Sequence, residues 1–374
     1  MQLHKCDYQD SALYTLFDRE ERVVHHPSRY LERLRRIRRP VESQRQIANV
    51  IKLHCEWLEK SPFFQGLRVD EALSITISDD ILEWINDQRD AEVAENTIHN
   101  REVLVREMYK WFTTEEASVR KDTPWFNDNY TKQSHSKLPR FLTAEQVIKL
   151  LRGMHNESQR VAAHFMFDTG VRVSELIRMT CRYLPDASDY PEGFNYYPLR
   201  VPGSKPYDGG NYKMRDTIIS RPALARIQRY HSTAEYRLAK GWNMFDPNKP
   251  IFLNVHGEPL SKQSFYDGVK AAWSRQGENP DEIYPHRLRH GTGYSVLKSE
   301  FGKELLDNLL ILKGMLGHES IKTTEIYSSI PIVIVQSLSN RQEVKFRYEE
   351  ADEIYRATYL PGYKNIQKRG RRKC

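Results

Sequence analysis

The chain has 374 residues, of which 39% are hydrophobic and 29% charged, and its mean hydropathy is −0.70. That length is enough for about two domains with cores of their own, and the absence of any apolar run of about eighteen residues excludes a helical membrane protein. Fifty-seven basic against 50 acidic residues give a net charge of +7 and an isoelectric point near 9.0, a balance that permits a polyanionic partner without demanding one.

Residues 1–28 read as an N-terminal extension in which Tyr8, Leu13, Leu16 and Phe17 mark a short amphipathic piece. They contain no signal-peptide core, so a cytoplasmic protein is expected. His25 and His26 would point apart on a strand and have no third ligand, and Cys6, Cys55, Cys181 and Cys374 form no C-x-x-C pair, so no metal site and no disulfide framework are expected. From 29 to 39, RYLERLRRIRR sets Arg29, Arg33, Arg35, Arg36, Arg38 and Arg39 against Glu32 alone. Leu31, Leu34 and Ile37 recur every third position, which predicts a helix with a packed stripe and a basic outer face suited to phosphates.

Helical spacing continues through 41–60, then through SDDILEWINDQRD with Ser78 as N-cap and NTIHNREVLVREMYKWFTTEE with Asn96 as N-cap. Trp57, Trp84 and Trp111 are assigned to the core rather than to base stacking. Residues 29–116 thus form a small all-helical domain, and 117–138, polar and aperiodic around Pro124, a linker.

A second domain is expected over 139–345. Thr143 caps a helix through Met154, and the apolar stretch 158–168 is a buried helix in which His164 reads as a satisfied core histidine. Gly170 makes a turn into a helix start where Arg172 and Glu175 are neighbours at i,i+3, so the carboxylate can aim the guanidinium. Residues 194–201 and 213–220 predict strands joined by the turn-rich PGSKPYDGGNY, from which Lys205 or Lys213 can project. A short strand at 251–254 and a helix over 262–275 follow. Pro285 favours a new helix start that places His286 and Arg289 one turn apart, two cationic donors on one face. Leu316-Gly317-His318 comes next, then Tyr327, whose phenol is neutral at pH 7 and needs activation to act as a nucleophile. The tail, 346–374, ends in a basic run at 368–373 and is expected to be disordered and attracted to DNA.

The ordered set of Arg172, a lysine, His286-x-x-Arg289, Leu-Gly-His318 and Tyr327 resembles the tyrosine recombinase, or phage integrase, family over roughly 139–330. The resemblance implies a mainly α fold with a small antiparallel β-sheet, in which a helical core-binding domain closes around the duplex ahead of the catalytic domain. It places the catalytic lysine just after the first strand, where Gly203-Ser204-Lys205 stands, and it matches Lys213 and Arg215 to a later, less central basic pair. Lys205 is preferred, with Lys213 the alternative. The resemblance also implies that segments after the nucleophile are exchanged between protomers.

The chemistry such a set supports is phosphoryl transfer. Arg172 and Arg289 present forks matched to phosphate oxygens, His286 and His318 add donors, and Glu175 supports Arg172. Tyr327 attacks in line to leave a 3′-phosphotyrosyl link, and Lys205 protonates the departing 5′ oxygen. Bond energy is conserved, so no metal, ATP or other cofactor is expected. The expected protein is a site-specific recombinase or integrase that acts as a homotetramer on double-stranded DNA carrying specific recombination sites. It would serve integration or excision of a mobile element, with accessory DNA-bending or directionality factors as further partners and no membrane partner, in the nucleoid of a bacterial or phage setting. The alternatives are a strand transferase like a type IB topoisomerase or telomere resolvase, and an inactive DNA-binding accessory protein.

Overall fold

The structure, a computed structural model, describes residues 1–8, 11–126, 128–132, 140–208, 211–239, 241–243, 246–299, 305–317 and 346–359. It is mostly helical, with two small antiparallel sheets, and divides into two compact units, Met1–His135 and Ser136–Cys374.

In the first unit, β1 (Gln2–Tyr8) and β2 (Ser11–Phe17) form an antiparallel hairpin with Gln2 opposite Phe17 and Tyr8 opposite Ser11. The alternation that matters is Ala12, Tyr14 and Leu16, all buried, a period of two that faces the helices. The expected amphipathic piece is therefore a hairpin. Helices α1 (His25–Arg36), α2 (Val41–Lys60), α3 (Val69–Ile75), α4 (Ser78–Asp90) and α5 (Glu95–Phe112) follow. Ser78 is the first helical residue rather than the cap, and Asp80 accepts from the Ile77 amide at 2.8 Å. The start of α5 precedes Asn96 by one residue.

The first amides of α1 find their acceptor far away in sequence: His25 and His26 donate to the two carboxylate oxygens of Asp70, each at 2.8 Å. Trp84 and Trp111 are buried and Trp57 is partly buried, all in this unit's core. Residues 117–126 and 128–131, read as part of a linker, pack onto the helices, with Ala117, Trp125 and Thr131 each 5% exposed or less. What holds them is the buried carboxylate of Glu102 on α5, which accepts from Trp125 Nε1 at 2.9 Å, from the amides of Tyr130 and Thr131 at 2.6 and 2.9 Å, and from the Thr131 hydroxyl.

In the second unit, α6 (Ala144–Gly153) begins at the expected cap, with Thr143 Oγ1 accepting from the Gln146 amide at 3.3 Å. Helix α7 (Glu157–Thr169) is buried along most of its length and forms the centre of the core. His164 is buried as expected, but neither ring nitrogen has a hydrogen-bond partner among the described residues, and burial holds its imidazole well below its ordinary range. A one-turn helix, α8 (Val173–Leu176), precedes the hairpin of β3 (Tyr196–Asp208) and β4 (Asn211–Ser220). The strands run through most of the segment read as a loop, because the turn residues are absorbed in a bulge instead of ending the pairing. Helices α9 (Arg221–His231), α10 (Ala234–Arg237), α11 (Lys262–Arg275), α12 (His286–Leu297) and α13 (Leu305–Leu316) follow; the residues near 251–254 make isolated bridges instead of a strand, Leu253 to Pro259 and Pro250 to Thr180.

The start of the tail is not a disordered segment but a helix, α14 (Arg347–Thr358). Ala351, Ile354 and Thr358 recur at helical spacing and are buried against α6, α7 and α9. Arg226 of α9 donates to Thr358 Oγ1 at 2.7 Å, and Arg347 donates to the carbonyl of Asp168. The basic run 368–373 lies outside the described residues. Among the described residues no helix is long and apolar enough to cross a membrane.

Candidate functional site

The site is built where α7 ends. Gly170 terminates this helix in the left-handed conformation, φ +68°, and a Cβ there would come within 2.6 Å of Leu316, so glycine alone suits both the turn and the packing. The chain then runs extended through Arg172, the residue that caps α8. Glu175, three residues on and fully buried, accepts from the Arg172 amide at 2.8 Å and from its Nη1 at 3.0 Å. The Arg172 side chain stays 32% exposed, so the buried carboxylate holds one edge of the fork while the rest faces outward.

Glu175 serves a second arginine as well. Arg215 on β4 donates through Nη2 to Oε2 at 2.7 Å and through Nε to Oε1 at 3.3 Å. Burial by itself would push the Glu175 carboxyl up. The Arg215 hydrogen bonds and charge, the Arg172 amide and the Arg289 charge outweigh that and bring it below its ordinary range, so it is a carboxylate at neutral pH.

Helix α12 contributes His286 and Arg289 one turn apart. It is held against α7 by Thr292, whose hydroxyl donates to the Phe167 carbonyl at 2.6 Å. Arg289 is buried and donates to the carbonyl of Gly170 and, at 2.7 Å, to that of Leu316. His286 is partly buried. Desolvation, helped by the charges of Arg289 and Arg172, pushes its imidazole down to about 4, so it is neutral at physiological pH and offers one donor and one acceptor. The His290 ring stands perpendicular to it with centroids 4.6 Å apart.

Arg172, Glu175, His286 and Arg289 therefore share one corner of the unit. Lys205 sits on β3 where the pairing shifts: Pro202 faces Met214 and Pro206 faces Tyr212, so Gly203, Ser204 and Lys205 oppose Lys213 alone. Both lysines belong to this bulge, although the Lys205 side chain lies outside the described residues. Arg178 grips the bulge by donating to the Gly203 carbonyl at 2.9 Å and lying over the Tyr212 ring at 4.0 Å. His318 directly follows the last described residue of this segment, Gly317; His318 and Tyr327 both lie outside the described residues.

In the sequence alone Arg215 holds a minor place and Arg178 carries no signal. The alternation of Met214, Arg215 and Asp216 along β4 gives no sign that an arginine turns inward. The arginines of the first unit are more engaged than their outward pattern implies. Arg29 donates to the Glu116 carbonyl at 3.0 Å and lies 5.8 Å over Trp111, Arg33 meets Glu116 at 3.3 Å, and Arg35 and Arg36 lie 3.9 and 2.9 Å from Glu32. Arg38 and Arg39 are exposed, with no side-chain ion pair or hydrogen bond among the described residues. Also among the described residues, no group of three or more His, Cys, Asp or Glu side chains is placed to hold a metal ion.

A family model described as the phage integrase family matches residues 140–330. The tyrosine recombinase XerC of Roseiflexus castenholzii is 28% identical over 290 residues, covering 76% of this chain and 83% of its own. In fold, the chain is similar to the XerH site-specific recombinase bound to a palindromic difH substrate, with a TM-score of 0.58 and 15% identity over 80% of each chain. It is also similar to a lambda integrase dimer bound to a COC′ core site, with a TM-score of 0.57 and 16% identity over 81% of this chain and 93% of that one.

Proposed function

Because the chain belongs to the phage integrase family, the tyrosine recombinases, we propose that it cuts and rejoins DNA at specific sites through a covalent 3′-phosphotyrosyl intermediate. The observation that carries this reading is the corner where the aimed Arg172 fork, neutral His286 and buried Arg289 meet. A phosphodiester gains charge on its non-bridging oxygens as a nucleophile adds, and fixed donors of this kind stabilise that charge without reorganising. Each such donor is worth about 3 kcal/mol in a closed site.

In the proposed step the Tyr327 oxygen forms a bond to phosphorus while the bond from phosphorus to the 5′ oxygen breaks. Tyr327 gives up its proton, and Lys205 supplies one to the leaving 5′ oxygen; Lys213, in the same bulge, is the alternative donor. Arg172 and Arg289 hold the phosphate, with His286 and His318 as further donors, and Glu175 keeps Arg172 aimed. A 5′-hydroxyl from a second duplex then reverses the step, so the cycle conserves bond energy and uses neither metal nor ATP. The first unit acts as the clamp on the duplex, with Arg38 and Arg39 at the end of α1 as its most available phosphate contacts and Arg29, Arg33, Arg35 and Arg36 behind them. The working assembly is a homotetramer on two double-stranded recombination sites, and its role is integration or excision of a mobile element.

The test is trapping on a nicked suicide duplex, comparing wild type with Tyr327→Phe on a denaturing gel. An adduct from wild type that is absent from Tyr327→Phe is the expected result. An adduct from both means another tyrosine attacks. DNA binding by both without an adduct from either, across candidate sites, favours an accessory DNA-binding role.

A further inference from the structure

Arg215, unlike the more exposed Arg172, is turned into the protein. Its side chain is 12% exposed and its three nitrogens all face inward, Nε and Nη2 to the Glu175 carboxylate and Nη1 to the carbonyl of Met315 at 2.5 Å. Met315 is the penultimate residue of α13, and its carbonyl is among those a helix leaves without an intrahelical partner. The next carbonyl, that of Leu316, is taken by Arg289. Two guanidinium groups thus cap the negative end of this helix.

The chain leaves α13 through Gly317, φ +62°, and packs directly on Arg215: a Cβ at Gly317 would come within 2.6 Å of Arg215 Cδ. Arg215 therefore joins two things that are far apart in sequence, the carboxylate that aims Arg172 and the turn that leads into His318.

We propose that Arg215 is a positioning residue for strand transfer, one that sets the Arg172 fork and the helix end preceding His318 in register by bonding Glu175 and Met315 with one planar group. The proposal rests on the strand-transfer reading of the site. With its donors turned inward, Arg215 does not itself present a fork to a phosphate. An ammonium cannot replace it, because a point charge on a single stem reaches the carboxylate or the carbonyl but does not span both in fixed geometry.

Arg215→Lys is the informative variant, since it keeps the charge and removes the fork. Single-turnover cleavage of the suicide duplex is expected to slow by about 10- to 100-fold while DNA affinity stays within about 3-fold of wild type, the split that belongs to positioning rather than to phosphate binding. In an Arg172→Lys background the same change is expected to cost little more, because the two act as a unit. Hydrogen exchange supplies a readout independent of the chemistry: amides in 312–317, Gly317 among them, are expected to exchange faster in Arg215→Lys while those of α5 do not change.

Unchanged exchange at 312–317 overturns the proposal, as does faster exchange with unchanged cleavage, which would make Arg215 structural only. Effects that multiply in the double variant together with a loss of affinity also overturn it, in favour of direct phosphate contact. If wild type forms no adduct on any duplex, the strand-transfer reading fails, and the exchange result still decides whether Arg215 holds the end of α13.

Discussion

Arg289 donates to the carbonyl of Leu316 at 2.7 Å and, with the same guanidinium, to the carbonyl of Gly170. One buried cation thus holds the C-terminal ends of α13 and α7 side by side, satisfying carbonyls that would otherwise lack partners.

A lysine at this position reaches one carbonyl, not both. Arg289→Lys is expected to lower single-turnover cleavage by about 10²-fold or more, and to cost about 1–3 kcal/mol of stability for the carbonyl left unpaired. Rapid-quench cleavage alongside urea unfolding measures both; a variant that cleaves within about 3-fold of wild type would remove Arg289 from the chemistry.

Arg178 fixes the bulge that carries both candidate lysines. Arg178→Ala is expected to speed hydrogen exchange across 200–214 and to slow cleavage by about 10-fold, with DNA affinity nearly unchanged. If exchange across the hairpin stays at the wild-type level, the grip on Gly203 and Tyr212 contributes nothing to holding the bulge.

Glu102 accepts four hydrogen bonds in a buried setting. Glu102→Ala orphans three of the four donors, the Thr131 hydroxyl keeping His99 Nδ1 at 2.9 Å, and is expected to destabilise the first unit by about 3–5 kcal/mol; Glu102→Gln, which keeps one oxygen acceptor, is expected to cost less. Tryptophan fluorescence in urea follows this directly, since Trp125 is one of the donors. Equal losses in the two variants would mean that packing, not hydrogen bonding, holds 117–131.

His54 is buried against Tyr109 and Trp84, and burial pushes its imidazole down to about 3. The folded group binds its proton less tightly than an unfolded histidine, whose pKa is about 6.5. Its contribution to stability is therefore complete above pH of about 6.5 and is lost as pH falls toward 3, at up to about 1.4 kcal/mol per pH unit. His54→Gln is expected to be less stable at pH 7 but to show a flatter acid limb in urea midpoints taken from pH 7 to 4. An acid limb as steep as wild type would assign the effect to other groups, such as His231, which burial pushes down to about 4.

Much of this was legible because it depends on neighbours in sequence. The limits of α11, the Thr143 cap and the Arg172–Glu175 pair follow from periodicity and i,i+3 spacing. What escaped depends on partners far along the chain. The Asp70 carboxylate caps α1 from 45 residues away, and Glu102 draws in a polar segment that otherwise reads as a linker. Arg215 looked peripheral because nothing local shows that its donors meet Glu175, 40 positions back, and Met315, 100 positions on. Helix α14 was masked by the basic run that follows it, although its Ala351, Ile354 and Thr358 spacing was available. The hairpin of 1–17 was lost because its inward stripe mixes small, aromatic and aliphatic residues.

The anchoring of α14 has a consequence for the segment that holds Tyr327. Arg289 ties the end of α13 to the carbonyl of Gly170, and Arg347, at the start of α14, bonds the carbonyl of Asp168, two positions earlier in the last turn of α7. The described chain on either side of 318–345 is thus made fast at neighbouring points at the end of α7. Any chain has a finite contour: the ten residues from Gly317 to Tyr327 span at most about 35 Å from Cα to Cα when fully drawn out. As long as both anchors hold, the length of chain alone keeps the Tyr327 Cα within that distance of Gly317, and any phosphate it attacks has to come within reach of that bound.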